Sequence, residues 1–300
     1  MNKTFSLTFC AGLFLFLFTA SVTAQTREDR NLVLIHSKND ALKSFYMGKY
    51  PVTNFHYKTF IDETGRKPPK YWKNGSYPHG KANHPVVFVS YNDALAYCEW
   101  LEKKNPDYAY RLPTVAEWEY AASGGKNYIF PWGNTANTDN FNYNKLVAAV
   151  YLEQNPTVTY IHAKSAKYGQ SLPLNQVIAL TGNAGVSGWI NHKNFTGFVY
   201  TDLFKKIMDA GGYTTPVDKY PDGKSPFGIY DMSGNVWEWT STQITATKGA
   251  ETGRKVHAVK GGSWYANMNS CKIGTTGEGR QPDARYNTVG FRIVAEKKQP

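Results

Sequence analysis

The sequence predicts an α+β fold with little regular secondary structure. Three short amphipathic segments, each with a helix cap, lie ahead of Gly125. From Phe130 onward the chain turns to short strand-like runs and long loops rich in Gly, Asn and Trp. No internal repeat or low-complexity linker divides it, so one domain is the simplest count.

The elements follow in order. Lys3, the apolar run over residues 9–18 and the small residues Val22-Thr23-Ala24 read as an export signal over residues 1–24, cleaved before Gln25. The run is too short for a comfortable membrane span and no stop-transfer segment follows it. The expected destination is the periplasm, the cell surface or the medium. Residues 33–35 and 45–47 read as short strands. Thr53 caps a helix whose buried face is Phe55, Thr59, Phe60 and Ile61 and which Gly65 ends. Residues 83–89 read as a strand after a Pro-marked turn. Ser90 caps a second helix with Asp93 at the capping-box position and Ala94, Tyr97, Cys98 and Leu101 on one face. Thr114 and Glu117 form a capping box for a third helix, which turns Trp118 and Ala121 inward and stops at Gly124-Gly125.

Composition bounds the function. With 300 residues, 41% hydrophobic and 15% aromatic, the chain can bury a real core and is not intrinsically disordered. Lys and Arg number 34 against 23 Asp and Glu, for a net charge of +11, but no dense basic run marks a nucleic-acid site. Three cysteines exclude a disulfide-stapled mini-domain and a four-cysteine zinc site. The seven histidines show no close spacing such as H-x-x-x-H, so zinc or iron is not indicated.

Seven blocks then stand in a recognisable order. They begin with Met47-Gly48-Lys49-Tyr50-Pro51-Val52-Thr53-Asn54, then Pro85-Val86-Val87-Phe88-Val89-Ser90-Tyr91-Asn92-Asp93-Ala94 and Arg111-Leu112-Pro113-Thr114-Val115-Ala116-Glu117-Trp118. Phe130-Pro131-Trp132-Gly133-Asn134, Gly228-Ile229-Tyr230-Asp231-Met232-Ser233-Gly234-Asn235-Val236-Trp237-Glu238-Trp239, Lys260-Gly261-Gly262-Ser263-Trp264 and Val289-Gly290-Phe291-Arg292 follow. In this order they resemble the formylglycine-generating enzyme (sulfatase-modifying factor) family. The resemblance implies a C-type-lectin-like fold of low regular structure. Residues 144–208 match no block and read as an insertion, whose aromatics suggest a subdomain walling a cleft bounded by Tyr265 to Arg280.

The resemblance also implies ligands. Hard calcium takes carboxylate and carbonyl oxygens on a bent backbone. One family site maps onto the side chains of Asp231 and Glu238 with the carbonyls of Gly234 and Val236. The other maps onto Asn142 and Asp209 with the carbonyls of Tyr143 and Gly211. Active members oxidise a cysteine of a client protein with copper and oxygen, through two cysteines that fall here at Ala266 and Cys271. Soft Cu(I) prefers two thiolates, and a methyl group cannot replace one. Cys271 is the one catalytic candidate, either as a thiol activated by Lys272 or as a packed remnant. Ser263, Trp264, Tyr265 and Arg280 are the candidate ligand contacts around it.

Cys98 matches a family cysteine whose expected partner position is Ile293 here. It reads as a free buried thiol, with a Cys98–Cys271 disulfide the alternative. Gln281-Pro282-Asp283 matches a galactose-type lectin signature but lacks the downstream Trp-Asn-Asp. The resulting expectation is an exported, calcium-stabilised member without the copper site. It would act as a binding or accessory module for an envelope protein or a glycan, with no nucleic acid partner and no membrane span after signal cleavage. An atypical oxidase and a calcium-dependent lectin are the alternatives.

Overall fold

The structure, a computed structural model, describes residues 31–38, 42–143, 207, 209–247, 251–279 and 281–299. The export signal, nearly all of the insertion, and Arg280 lie outside the described residues.

Strands β1 (Leu32–Ile35) and β2 (Phe45–Gly48) pair antiparallel, with Leu32 opposite Gly48 and Ile35 opposite Phe45. Phe45 and Met47, two apart, face inward, as period-two alternation demands. β8 (Val294–Lys297) joins β2 on one side and β3 (Tyr108–Arg111) on the other, giving the order β1-β2-β8-β3. The second sheet, in the order β6-β5-β4-β7, centres on the antiparallel pair β4 (Trp237–Thr245) and β5 (Lys255–Lys260). The edge strands are β6 (Thr276–Glu278) and the two-residue β7 (Val289–Gly290), the latter parallel to β4.

The three helices form where their caps predict. Thr53 accepts from the His56 amide at the start of α1 (Asn54–Thr64), and Gly65, at φ +65°, donates its N–H to the Ile61 carbonyl at the end. Reciprocal capping boxes, Ser90/Asp93 and Thr114/Glu117, open α2 (Tyr91–Lys104) and α3 (Val115–Ser123). The buried face of α2 is the expected Ala94, Tyr97, Cys98 and Leu101, with Trp100 added. That of α1 differs from expectation. Asn54, Tyr57, Phe60 and Ile61 are buried, while Phe55 is 44% exposed and Thr59 lies outside. Asn54, Tyr57 and Phe60/Ile61 make a stripe at helical spacing in which a polar residue takes a core place. Asn54 is paid for by bonds to the Lys81 carbonyl and the Tyr71 hydroxyl.

Residues 83–89 form no strand, although 85–89 are buried; Pro85 makes only an isolated bridge with Thr53. The segment's amides go to loops instead, Val86 to the Val52 carbonyl and Phe88 to the Tyr286 carbonyl. Phe88 sits at φ +56°, which interrupts any ladder.

The main core packs α1 and α2 against Phe291, with Tyr57, Phe60, Tyr97 and Trp100 in mutual ring contact. A second core gathers Trp118 and Ala121 of α3 with Ile35, Phe45, Met47 and Met232.

Candidate functional site

The loop that enters β4 is held by one side chain. Asn235 Oδ1 accepts from the Thr215 amide at 2.9 Å and from Asn142 Nδ2 at 3.3 Å. Its Nδ2 donates to the Thr215 carbonyl at 3.1 Å and to Asp231 Oδ2 at 2.8 Å. Its backbone N–H donates to the Asn142 carbonyl, and its carbonyl accepts from the Trp264 amide. Side chain and backbone of this one buried residue thus tie its own loop to three segments distant in sequence, at Asn142, Thr215 and Trp264. Asp231 and Asn235 adopt φ +55° and +63°, so the loop turns through left-handed residues that an Asx side chain tolerates. Gly234, at φ +78°, cannot be replaced: a Cβ there would lie 2.2 Å from the Asn142 carbonyl oxygen.

Below this loop lies a buried charge network. Glu238 accepts from Arg292 Nε at 2.6 Å and Arg292 Nη2 at 2.7 Å, and from Trp118 Nε1 at 2.7 Å. Both charged groups are fully buried, and Arg292 also donates to the Gly48 and Tyr230 carbonyls. Asp231 lies close by and forms no ion pair among the described residues. Burial pushes its carboxyl up to about 8, the Asn235 bond and Arg292 act against this, and the Glu238 charge adds to it.

The donor sets expected for calcium differ in fit. Asn142 is fully buried; its Nδ2 donates to the Tyr213 carbonyl at 2.9 Å, and its Oδ1 has no hydrogen-bond partner. An orphaned buried acceptor of this kind suits a hard cation. Tyr143 is buried beside it, Gly211 is buried with φ +81° against the Tyr71 ring, and the Asp209 side chain is exposed. Asp231 and Glu238 feel each other's charge, but Arg292 already pairs with Glu238. Among the described residues no three His, Cys, Asp or Glu side chains converge as a metal cluster.

Cys271 ends a short 3-10 turn, Met268–Cys271, capped by Asn267. It is fully buried with Phe130, Phe141, Tyr143 and Met268, and Ala266 packs on the same cluster. The Phe130–Trp132 and Phe141–Tyr143 rings stack at 5.1 and 4.7 Å around it. Burial pushes the thiol up to about 12, against two backbone hydrogen bonds. This does not fit copper, which needs a pair of thiolates; the other sulfur in the cluster is the Met268 thioether. Cys98 and Cys271 are both buried, and neither forms a disulfide among the described residues.

A family model described as "Sulfatase-modifying factor enzyme 1-like domain" matches residues 15–176 and 181–297. The chain belongs to this family. Formylglycine-generating enzyme from Mus musculus is 30% identical over 227 residues, covering 72% of this chain and 45% of the relative. That from Thermomonospora curvata is 30% identical over 250 residues, covering 76% and 62%. Inactive C-alpha-formylglycine-generating enzyme 2 from Bos taurus is 29% identical over 231 residues, covering 75% and 55%. The chain spans about half the length of the curated relatives it matches. The structure of PvdO from Pseudomonas aeruginosa aligns with a TM-score of 0.51 at 23% identity, over 85% of this chain and 81% of that one, a likeness of fold. The fold is thus the C-type-lectin-like one of the sulfatase-modifying factor family.

Within this family member the candidate ligand contacts divide. Ser263 and Trp264 are interior residues, Trp264 Nε1 donating to the Asn287 carbonyl, whereas Tyr265 reaches partial exposure. Gln281 and Asp283 do not converge on an ion: Gln281 donates to Glu251 and Asp283 accepts from Asn92. Sequence reasoning missed a cleft of about 440 Å³ beside Phe141 and Tyr143. Lys81 and His84 line it, and both contact Thr214. Lys81 also donates to the Gly212 carbonyl and has no carboxylate partner among the described residues. Burial lowers Lys81 to about 8 and, with the Lys81 charge, lowers His84 to about 4. Only the fold joins these two residues to a partner some 130 positions away, so no local signal could have found them.

Proposed function

We propose that this chain is an exported, calcium-stabilised member of the sulfatase-modifying factor family without copper oxidase activity. It acts as a binding or accessory module for a protein or a glycan at the cell envelope. The observation that carries this reading is Ala266 packed beside a fully buried Cys271, whose thiol is held far from the thiolate. That a curated relative of similar identity bears the name inactive C-alpha-formylglycine-generating enzyme 2 is consistent with it.

Calcium would be held by Asn142 Oδ1, Asp209 and the carbonyls of Tyr143 and Gly211, where an acceptor stands without a partner. A second ion at Asp231, Glu238 and the carbonyls of Gly234 and Val236 would relieve the upward push on the Asp231 carboxyl but must compete with Arg292. The ions would replace hydrogen-bonded structure in a loop-rich fold.

Two measurements test the reading. A Cys-x-Pro-x-Arg peptide, incubated with the copper-treated protein and oxygen, should gain no formylglycine. Turnover lost in Cys271→Ser would establish the oxidase reading instead. Calcium should raise Tm over the chelated protein, and Asn142→Leu should remove that rise; equal Tm values with and without calcium would sink the calcium assignment.

A further inference from the structure

We infer that a second cleft, which shares no lining residue with the Cys271 cluster, binds a small sugar bearing a sulfate or phosphate ester. The cleft, of about 350 Å³, lies between the end of α1, the Phe88 segment and the loop before β7. Its size falls at the lower end of small-molecule sites, which run from roughly 300 to 1,000 Å³.

Four cations line it, Arg66, Lys67, Lys70 and Arg285, against one carboxylate, Asp93. Asp93 is fully committed. Arg285 grips it through Nε at 2.7 Å and Nη2 at 3.0 Å, Arg66 stands 3.9 Å away, and its Oδ2 accepts from the Ser90 amide at 2.9 Å. Asp283, next to Arg285 in space, is engaged by Asn92. Lys67 and Lys70 are exposed and form no ion pair among the described residues. The cleft therefore keeps an uncompensated positive charge, and oxyanions with several acceptor lone pairs are what such a set of donors recognises.

The wall of the cleft is strained. Phe88 lines it at φ +56°, a conformation that a bulky side chain rarely adopts. The surroundings hold it there: its amide donates to the Tyr286 carbonyl, its ring meets that of Tyr71, and Lys70 Nζ stands 4.2 Å from the ring centroid. Strain of this kind concentrates at ligand sites. Pro68 and Pro69 extend the same wall and offer rigid apolar faces beside the charges, which suits an ester with an organic body better than a bare ion.

This inference deepens the glycan arm of the proposed function and rests on it only for the class of ligand. The peptide and calcium experiments test that reading separately. Here the probes are glucose 6-sulfate, glucose 6-phosphate, glucose, inorganic sulfate and inorganic phosphate, titrated calorimetrically into the full chain. At least one ester should bind with inorganic sulfate or phosphate competing, and glucose should not bind. Lys67→Glu/Lys70→Glu should weaken ester binding at least tenfold, about 1.4 kcal/mol, with the native fold retained by circular dichroism. Lys126→Glu/Lys255→Glu, an equal charge change on other elements, should leave it intact. Absence of ester binding, binding of the inorganic ions alone, or an equal loss in both variants would overturn the proposal.

Discussion

Gly262 stands at φ +78°, and a Cβ on it would lie 2.4 Å from Cys271 Sγ. Backbone and thiol therefore fill one space, and Gly262→Ala should destabilise the fold by about 1–3 kcal/mol. Urea denaturation would measure this, and the double variant with Cys271→Ala should recover part of the loss through their coupling. His84 gives a second residue-scale test. Its folded value is lowered to about 4 from the usual 6.5, so the unfolded chain binds more protons between those limits. Its contribution is intact above pH 6.5 and is lost as pH falls toward 4, in a cleft that also holds Lys81, Lys219 and Asp139. The drop in unfolding free energy from pH 7 to pH 4 should be smaller in His84→Gln than in the parent. Ala266 and Cys271 could be read directly, because a missing ligand is visible as a letter. The role of Asn235 could not, since nothing in Gly234-Asn235-Val236 says that its amide meets the distant Asn142 and Thr215 segments.

Elements were legible where their punctuation is local. Thr53, Ser90 and Thr114 cap the helices that the sequence assigns to them, because a hydroxyl and an amide two or three residues on meet whatever the rest of the chain does. Thr114→Ala should cost about 1 kcal/mol by thermal denaturation. Residues 83–89 misled for the opposite reason. Their apolar run reflects burial on all sides, which a strand and an extended loop share, and only distant carbonyls of Val52 and Tyr286 decide between them. Phe55 misled because burial of Asn54 depends on Lys81 and Tyr71 in other segments. The pairing of β4 with the segment after β7 supports the sharpest stability prediction. Arg292→Ala leaves Glu238 buried and unpaired and should destabilise by about 3–5 kcal/mol, whereas a change below 1 kcal/mol would contradict the burial described for the pair.

Over the whole molecule, the seven blocks in order carried the architecture that the structure displays, since each sits at a helix start, a sheet strand or a turn with fixed backbone demands. The clefts stayed invisible. Both are assembled from segments far apart in sequence, and their cations look like ordinary surface charge until the fold gathers them. The insertion matched no block, and residues 144–206 lie outside the described residues. Among the described residues no helix is long and apolar enough to cross a membrane.

The first sheet places β1 and β8 on either side of β2, each antiparallel to it, so they run in the same direction. A pull applied at residues 31 and 299 would therefore act at opposite ends of the strands, on the edge strand β1 and the interior strand β8 of one sheet. It would slide the strands lengthwise and load the bonds of β1–β2 and β2–β8 together, with no route to peel them one at a time. For a protein that tethers something, this geometry resists traction better than its modest strand lengths suggest.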